Sequence, residues 1–273
     1  MKPNEGVLTS KRFKLHPQNT IDGHEVLKEP TFDTQPNTLF VVTPCMGTLM
    51  LSYVKSVLEL QSICYHKNVS TKFHMVQSSL VTQGRNLCVQ AFLNSHMSHM
   101  LFVDSDIEFD AASIIDMMKF DKDIVLTPYP MKVFDWNKAR KVSIQSGKPI
   151  EECPHYYCLD FPDDNNIESK DGLVEITRGP AGCMLIKRTV FEKMIKAYPQ
   201  LKVKQRQLVN GLMATSENIY NFFDTDFDPE SGAFCKRWTD IGGKIYANVE
   251  AYITHHGTHG FRGRFIDEGK KVK

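Results

Sequence analysis

The stretch Met100-Leu101-Phe102-Val103-Asp104-Ser105-Asp106 decides the fold of this chain. Its four apolar residues predict a short buried strand. Because side chains two positions apart in an extended chain point to the same side, we expect the carboxylates of Asp104 and Asp106 to leave the strand end together. Two converging carboxylates are costly to desolvate unless a cation lies between them, and Mg²⁺ or Mn²⁺ binds such oxygen ligands. The alternative interpretation is a solvated turn without a ligand.

Outward from this stretch, strands alternate with helices along most of the chain. Apolar or alternating runs predict strands at 38–43, 69–76, 100–104, 123–127, 173–177, 183–186 and 246–253. Periodic apolar residues predict one helix that ends near residue 66 and buries Tyr53, Val57, Leu60 and Cys64, and others at 83–94, through 114–118, at 189–197 and at 232–239. A capping box, Thr189 with Glu192, is expected to start the helix at 189–197.

This order of elements predicts the α/β class, with a central, mostly parallel mixed sheet flanked by helices. Open sheets of this kind bind ligands beyond the carboxyl ends of their strands, where the two aspartates are expected to lie. The prediction therefore places a site at the end of the strand that precedes Asp104.

The predicted domain organisation has three parts. Residues 1–37 are polar and without periodicity, and they predict an extended arm; residues 38–263 form one domain, and residues 264–273 a tail. Residues 133–171 interrupt the domain with turn residues and scattered aromatic side chains. Because disordered segments are poor in aromatic residues, we expect a partly ordered loop that covers the site rather than a flexible surface insertion.

The composition excludes several classes of partner. The 33 Lys and Arg residues balance 32 Asp and Glu residues, so there is no electrostatic case for nucleic acid or a membrane surface. No window is long and apolar enough for a membrane span, and no signal peptide is expected. The seven cysteines form no dense framework, and Cys153 and Cys158 have no second Cys/His pair for zinc, so reduced thiols in the cytoplasm are expected.

Short motifs follow one another along the domain in a recognisable order. They are a strand ending at Pro44, Gly84-Arg85-Asn86, Val103-Asp104-Ser105-Asp106, Tyr129-Pro130-Met131-Lys132, Gly179-x-x-Gly182-x-Met184-Leu185, Glu230-x-x-x-Phe234-Cys235 and His255-x-Gly257. This order over residues 38–263 resembles the GT-A superfamily of nucleotide-sugar glycosyltransferases, whose fold is Rossmann-like. It is most similar to the small family-2-like enzymes of bacteria and of large DNA viruses such as the chlorella viruses, which would place a viral member in the host cytoplasm.

The resemblance implies a Mn²⁺ or Mg²⁺ ion that bridges the diphosphate of the sugar donor. It implies Asp106 as a metal ligand, Asp104 as a contact to the metal or to the nucleotide ribose, and His255 as a third ligand. An imidazole ligand favours Mn²⁺ over Mg²⁺. His256 and His259 lie beside this ligand, where they either support it or are solvated.

Five residues are candidates for contacts to the donor. Arg85 can offer a planar fork to the phosphates or the base, and Lys132 is a further phosphate candidate. Thr43 and Pro44 would border the nucleotide because they end the first strand. Gly182 would let the backbone approach the sugar. The alternatives are a surface ion pair for Arg85 and an ordinary turn for Gly182.

The acidic stretch 224–230 holds the candidates for the catalytic base. Inverting transfer needs a carboxylate that deprotonates the acceptor hydroxyl. Relatives usually carry a Glu-Asp pair ahead of the helix, whereas this chain has Glu230-Ser231, which leaves the base open among Asp226, Asp228 and Glu230. Glu230 is our first choice and Asp228 our second; the alternative is that these acids only cap the helix.

The predicted function is metal-dependent inverting transfer of a hexosyl or pentosyl unit from a nucleotide diphosphate sugar to a hydroxyl of a glycan. The resemblance to the family, together with the small opening after the first strand, favours a UDP-sugar over a GDP-sugar. One alternative is a sugar nucleotidylyltransferase, which would need a Gly-rich basic loop where this chain has Pro44-Cys45-Met46-Gly47-Thr48. The other is a non-catalytic carbohydrate-binding protein, which would have no need for Asp104, Asp106 and His255.

Overall fold

The computed structural model describes residues 20–21, 24–25, 35–150, 155–163, 166–209, 212–224 and 230–268. Within these residues the strands are β1 (Thr20–Ile21), β2 (His24–Glu25), β3 (Gln35–Cys45), β4 (Ser70–Gln77), β5 (Met97–Val103), β6 (Ile107–Phe109), β7 (Ile124–Leu126), β8 (Ser169–Lys170), β9 (Leu173–Ile176), β10 (Cys183–Lys187), β11 (Lys202–Val209), β12 (Leu212–Tyr220), β13 (Ile245–Asn248), β14 (Ile253–His256) and β15 (Gly260–Gly263).

The helices alternate with these strands in the first half of the chain and return near its end. They are α1 (Leu51–His66), α2 (Val81–Leu93), α3 (Ala111–Lys119), α4 (Trp136–Ser146), α5 (Arg188–Ala197) and α6 (Glu230–Asp240), with short 3-10 helices at Pro199–Leu201 and Phe265–Glu268. Among the helices described, none combines the length and the apolar character needed to cross a membrane.

Eight strands form one mixed sheet in the order β4-β3-β5-β10-β7-β13-β9-β8. Strands β3, β4 and β5 pair in parallel, β7 and β13 pair in parallel, and β10 lies antiparallel between β5 and β7. The four strands predicted at 38–43, 69–76, 100–104 and 123–127 therefore run in one direction. The predicted α/β class, with a mostly parallel mixed sheet flanked by helices, is confirmed.

Helices cover both faces of the sheet, so alternate residues of its central strands enter two separate cores. Phe40 and Phe102 pack with α2, α5 and α6 on one face, whereas Leu39 and Leu101 pack with α1 and α3 on the other. Because both faces are covered, these strands are apolar at every position rather than at every second one. Each fully buried side chain of this size stabilises the fold by about 1.5–3 kcal/mol.

A small second sheet lies beside the turn after β5. In this sheet β14 pairs antiparallel with both β6 and β15. The register joins His255 to Ile107 and to Phe261. Residues near the C-terminus are thereby placed next to Asp106, almost 150 positions earlier in the chain.

Three sequence predictions need correction. The stretch 246–253 is not one strand, because β13 ends at Asn248 in the large sheet and β14 starts at Ile253 in the small one. Helix α5 begins at Arg188 with Lys187 as its N-cap and no side-chain cap, so the predicted capping box is wrong. The stretch 133–171 contains α4, which the sequence analysis had taken for a loop.

The boundaries predicted for the arm and the tail stay predictions. Strand β3 begins at Gln35, inside the predicted arm, and most of the arm lies outside the described residues. Phe265, in the predicted tail, is buried against Tyr157 and Phe161. The cysteines of the described residues are all free thiols.

Candidate functional site

The predicted site residues gather at the carboxyl ends of the parallel strands. Val42 of β3 lies beside Phe102 of β5, so Thr43 and Asp104 are at the same edge of the sheet. The amide of Asp104 donates to the carbonyl of Gly182 at 2.9 Å, which fixes the strand end against β10. This is the edge at which open α/β sheets bind ligands.

The residues after β5 form a turn rather than an extended chain. The amide of Ile107 donates to the carbonyl of Asp104 at 3.1 Å, and the amide of His256 donates to the carbonyl of Asp106 at 2.8 Å. The sequence predicted that both carboxylates leave one extended strand on the same side. Because the chain turns here, that prediction is wrong. The two side chains instead reach different partners.

Asp104 is held by a buried arginine. Nη2 of Arg85 lies 3.1 Å from both Oδ1 and Oδ2 of Asp104. The arginine side chain is 4% exposed and that of Asp104 is 26% exposed, so the pair faces the interior more than the solvent. The guanidinium also lies over the ring of Phe102, 5.3 Å from its centroid. Arg85 is thus no surface ion pair, and it fixes Asp104 at the strand end.

Asp106 contacts a lysine and a histidine through different oxygens. Its Oδ2 accepts from Nζ of Lys132 at 2.5 Å, and its Oδ1 lies 3.7 Å from Nε2 of His255. Nδ1 of His255 is 2.9 Å from the carbonyl oxygen of Pro130. Because a carbonyl can only accept, Nδ1 carries the proton and Nε2 presents its lone pair towards Asp106.

The environment of His255 keeps its imidazole neutral. Burial lowers the pKa of His255 below its usual value, and the bond to Pro130 and the charge of Asp106 oppose this only in part. The ring also packs edge-on against Tyr129, with centroids 4.8 Å apart. A neutral imidazole whose second nitrogen is held by a carbonyl is the form in which histidines ligate metals.

Asp106 and His255 fit a divalent cation as a two-ligand site. Ligand atoms about 2.1 Å from one cation can lie up to about 4.2 Å apart, and the two donor atoms are 3.7 Å apart. No group of three or more His, Cys, Asp or Glu side chains suited to a metal occurs within the described residues. A site with two protein ligands matches cations that complete their coordination with substrate phosphates and water.

Gly182 is explained by close packing at this strand end. A Cβ atom at Gly182 would lie 2.5 Å from the hydroxyl of Tyr129 and 2.7 Å from Oδ2 of Asp104. Burial, and next the charge of Asp104, raises the pKa of Tyr129, so its hydroxyl stays protonated. The glycine is therefore required by Tyr129 and Asp104, whether or not a sugar binds.

Thr43 does not offer its hydroxyl to a ligand. The side chain is buried, and its Oγ1 lies 2.6 Å from the hydroxyl of Tyr53 on α1. Pro44 follows it in β3, close to Gly84 at the start of α2. The hydroxyl of Thr43 thus stabilises the strand end through Tyr53. That Thr43 borders the nucleotide stays a prediction, in which its backbone makes the contact.

Asn86 connects α2 to the start of the acidic stretch. Its Nδ2 donates to Oδ1 of Asp224 at 3.1 Å, and its Oδ1 accepts from the amide of Phe223 at 3.1 Å. Arg237 of α6 donates to the carbonyl of Asp224 at 2.6 Å. These bonds hold Asp224, the first residue of the acidic stretch, against α2 and α6. The sequence analysis assigned Asn86 no role, although a polar residue on the buried face of a helix was a usable signal.

The three candidates for the base follow Asp224 in the chain. Asp226 and Asp228 lie outside the described residues, as does the side chain of Glu230, whose backbone begins α6. Their predicted role stays a prediction. Asp224 is the described acid of this stretch, and it is half-buried.

The neighbouring histidines have partners of their own. Nε2 of His256 lies 2.7 Å from Oε2 of Glu108, and the ring of His259 packs edge-on against Phe261. His255 is thus the histidine of this group whose ring nitrogen faces Asp106. The ligand role that the family resemblance implies for His255 stays a prediction.

Part of the inserted stretch packs beside this site. The amide of Met131 donates to the carbonyl of Tyr156 at 2.8 Å. Nε2 of His155 donates to the carbonyl of Arg262 on β15 at 2.8 Å. These bonds join the insertion to the strand next to β14 and to the loop that contains Lys132, which is compatible with the predicted cover over the site.

Comparisons with known proteins give distant structural likenesses. No protein-family model matches the chain, and no curated protein sequence matches it. The structure is similar to that of A197 from STIV, with a TM-score of 0.44 and 16% identity over 81% of this chain and 86% of that one.

Two further solved structures show a weaker likeness. A glycosyltransferase involved in the glycosylation of the major capsid of PBCV-1 has a TM-score of 0.31 and 9% identity over 59% of this chain and 66% of that one. The 4-diphosphocytidyl-2C-methyl-D-erythritol synthase from Anaerococcus prevotii has a TM-score of 0.32 and 10% identity over 62% of this chain and 78% of that one. Because all three TM-scores are below 0.5, we infer the function from the geometry of the site.

Proposed function

We propose that this protein is a metal-dependent inverting glycosyltransferase that uses a nucleotide diphosphate sugar, with a UDP-sugar favoured, and a glycan hydroxyl as acceptor. The observation that supports it is the pair of Asp106 and His255, whose free nitrogen faces a carboxylate at the ligand-binding edge of the sheet. Arg85 and Lys132 add two cationic groups at the same edge.

In this proposal Asp106 and His255 hold a Mn²⁺ or Mg²⁺ ion together with the donor diphosphate. When bound, such an ion acts as a Lewis acid that offsets the charge of the departing diphosphate. Arg85, fixed by Asp104, orients the phosphate or ribose side of the donor, and Lys132 contacts a phosphate oxygen. Asp104 takes no part as a ligand in the arrangement we propose, because Arg85 neutralises it within the protein.

The acceptor hydroxyl is deprotonated in this proposal by a carboxylate of the stretch 224–230. The positive end of the α6 macrodipole favours the ionised form of an acid near its start. Glu230 remains our first choice and Asp228 our second. Asn86 of α2 binds Asp224, the first residue of that stretch.

The donor is tested by thermal unfolding with UDP, GDP, CDP and dTDP, each with Mn²⁺. We expect UDP with Mn²⁺ to give the largest rise in melting temperature. Asp106→Ala should abolish the Mn²⁺-dependent part of that rise and leave the melting temperature of the free protein nearly unchanged. Unaltered metal-dependent binding in Asp106→Ala would place the site elsewhere, and the largest shift with GDP would overturn the choice of nucleotide.

The base is tested with Glu230→Gln, Asp228→Asn and Asp224→Asn side by side. Loss of a general base lowers kcat by about two to four orders of magnitude with little change in donor affinity. NMR of the product reads the anomeric configuration, which should be inverted. Full turnover in all three variants and in Asp226→Asn, or a retained configuration, contradicts the mechanism. Release of pyrophosphate instead of a nucleoside diphosphate would indicate a nucleotidylyltransferase.

A further inference from the structure

The ammonium of Lys132 pairs with the carboxylate of Asp106, which would bind the metal in the proposed function. Its Nζ lies 2.5 Å from Oδ2 of Asp106, and the two side chains are about one-third exposed. The stem of Lys132 packs along Gly257, where an added Cβ would lie 3.2 Å from its Cδ. The ammonium is therefore positioned by packing as well as by charge.

A divalent cation between Asp106 and His255 would share that carboxylate with the ammonium. The cation would bind Oδ1 of Asp106 and Nε2 of His255, next to the ammonium that pairs with Oδ2 in the free protein. Two cations on one carboxylate repel each other, and this repulsion is strong where water screens it only in part. The carboxylate of Asp106 can therefore fully neutralise only one of the two cations at a time.

The charges of the site explain what would allow both cations. Asp104 and Asp106 contribute two negative charges, and Arg85 and Lys132 contribute two positive charges, so the free site is balanced. A divalent cation alone leaves two positive charges in excess. A diphosphate diester brings about two negative charges at neutral pH, so the cation and the diphosphate together restore the balance.

We propose that Lys132 makes metal binding conditional on a diphosphate: the ammonium and the divalent cation compete for Asp106, and the diphosphate accepts the ammonium when the cation enters. Lys132 is then a specificity-determining residue, because it couples the two ligands and disfavours cation binding to the empty site. This inference rests on the proposed function, since it assumes the same metal and donor site.

The experiment measures Mn²⁺ binding from the loss of the free-ion EPR signal, with and without UDP. The variants are Lys132→Gln and, as a matched control, Lys187→Gln, which removes a lysine paired with Asp121 at the other end of β10. Without UDP we expect weak binding in the natural protein and in the control. We expect Lys132→Gln to bind Mn²⁺ at least about tenfold more tightly, because it loses both the competitor and the repulsion.

Coupling between the ligands gives a second measurement. Because coupling is reciprocal, UDP and Mn²⁺ must raise each other's affinity by the same factor. That factor should be about tenfold smaller in Lys132→Gln than in the natural protein, and Lys132→Met should behave like Lys132→Gln if the charge alone matters. Melting temperatures of the free variants establish that each is folded.

The outcomes separate this inference from the proposed function. Mn²⁺ binding without UDP that is equal in the natural protein and Lys132→Gln overturns the role of Lys132. The proposed function survives that result if UDP still binds with Mn²⁺. If no variant binds Mn²⁺ even with UDP, the metal site itself is wrong and both proposals fail.

Discussion

The ion pair between Arg85 and Asp104 should be worth about 2 kcal/mol of coupling energy in the folded protein. At the 3.1 Å that separates Nη2 from each carboxylate oxygen, two unit charges attract by about 5 kcal/mol at an effective dielectric constant of about 20. Desolvation of the arginine and the partial exposure of Asp104 reduce that attraction. The expected coupling therefore lies above that of a surface pair and below the full Coulomb energy.

The assay is a double-mutant cycle of Arg85→Met, Asp104→Asn and the double variant, with unfolding by urea. Arg85→Met should destabilise the protein by about 3 kcal/mol, since it leaves the Asp104 carboxylate beside the buried Tyr129 without its cation. Asp104→Asn should be milder, because an amide oxygen can still accept from Arg85. The double variant should be less destabilised than the sum of the two, by about 2 kcal/mol.

An exposed pair provides the control for this cycle. Lys119 and Asp116 lie 2.7 Å apart on α3, with side chains 67% and 55% exposed, so their coupling should be about 0.5 kcal/mol or less. If the Arg85–Asp104 coupling is no larger than that of the control, the reasoning that Arg85 fixes Asp104 is wrong. UDP affinity of the same variants shows whether the loss also reaches the proposed donor site.

Three further predictions concern the strand end and the interior. Gly182→Ala should lower the free energy of unfolding by about 1–3 kcal/mol in urea titrations, whereas Gly232→Ala, whose added methyl meets a flexible side chain, should change it little. Burial lowers the pKa of His99, so stability should be flat above about pH 6.5 and fall as the pH drops through that value, with a shallower slope in His99→Gln. Tyr53→Phe should cost about 1–2 kcal/mol by leaving the Thr43 hydroxyl unpaired, and a matching loss of UDP affinity by calorimetry would contradict the supporting role of Thr43.

Local patterns predicted the elements around the site because burial follows them. The four periodic residues of α1, from Tyr53 to Cys64, are all buried. The apolar run before Asp104 is a central strand with both faces covered, so each of its residues enters a core. Six strands of the large sheet and five of the six described helices could thus be predicted within a few residues, whereas the strands β11 and β12 were not predicted. The single strand predicted at 246–253 was wrong, since this apolar run contributes residues to two different sheets.

The capping box at Thr189 shows how a long-range contact overrides a local signal. Arg188 is buried, and it donates to the carbonyls of Met97, Phe92 and Ser95. These bonds fix the first residue of α5 against the end of α2, so the helix begins before the predicted cap. A signal four residues long could not anticipate partners more than 90 positions away.

The two aspartates have different partners because the chain turns directly after β5. Sequence spacing alone predicted one shared cation, whereas Arg85 holds Asp104 and Lys132 holds Asp106. Such pairing is set by tertiary packing, and no spacing rule reports it. In our proposal, a carboxylate that is already paired with a lysine binds a metal only when another anion pairs with that lysine instead. In our proposal, the turn that separates the two acids makes a metal at Asp106 dependent on an anionic ligand, which is the behaviour expected of a site that binds a diphosphate donor and its metal together.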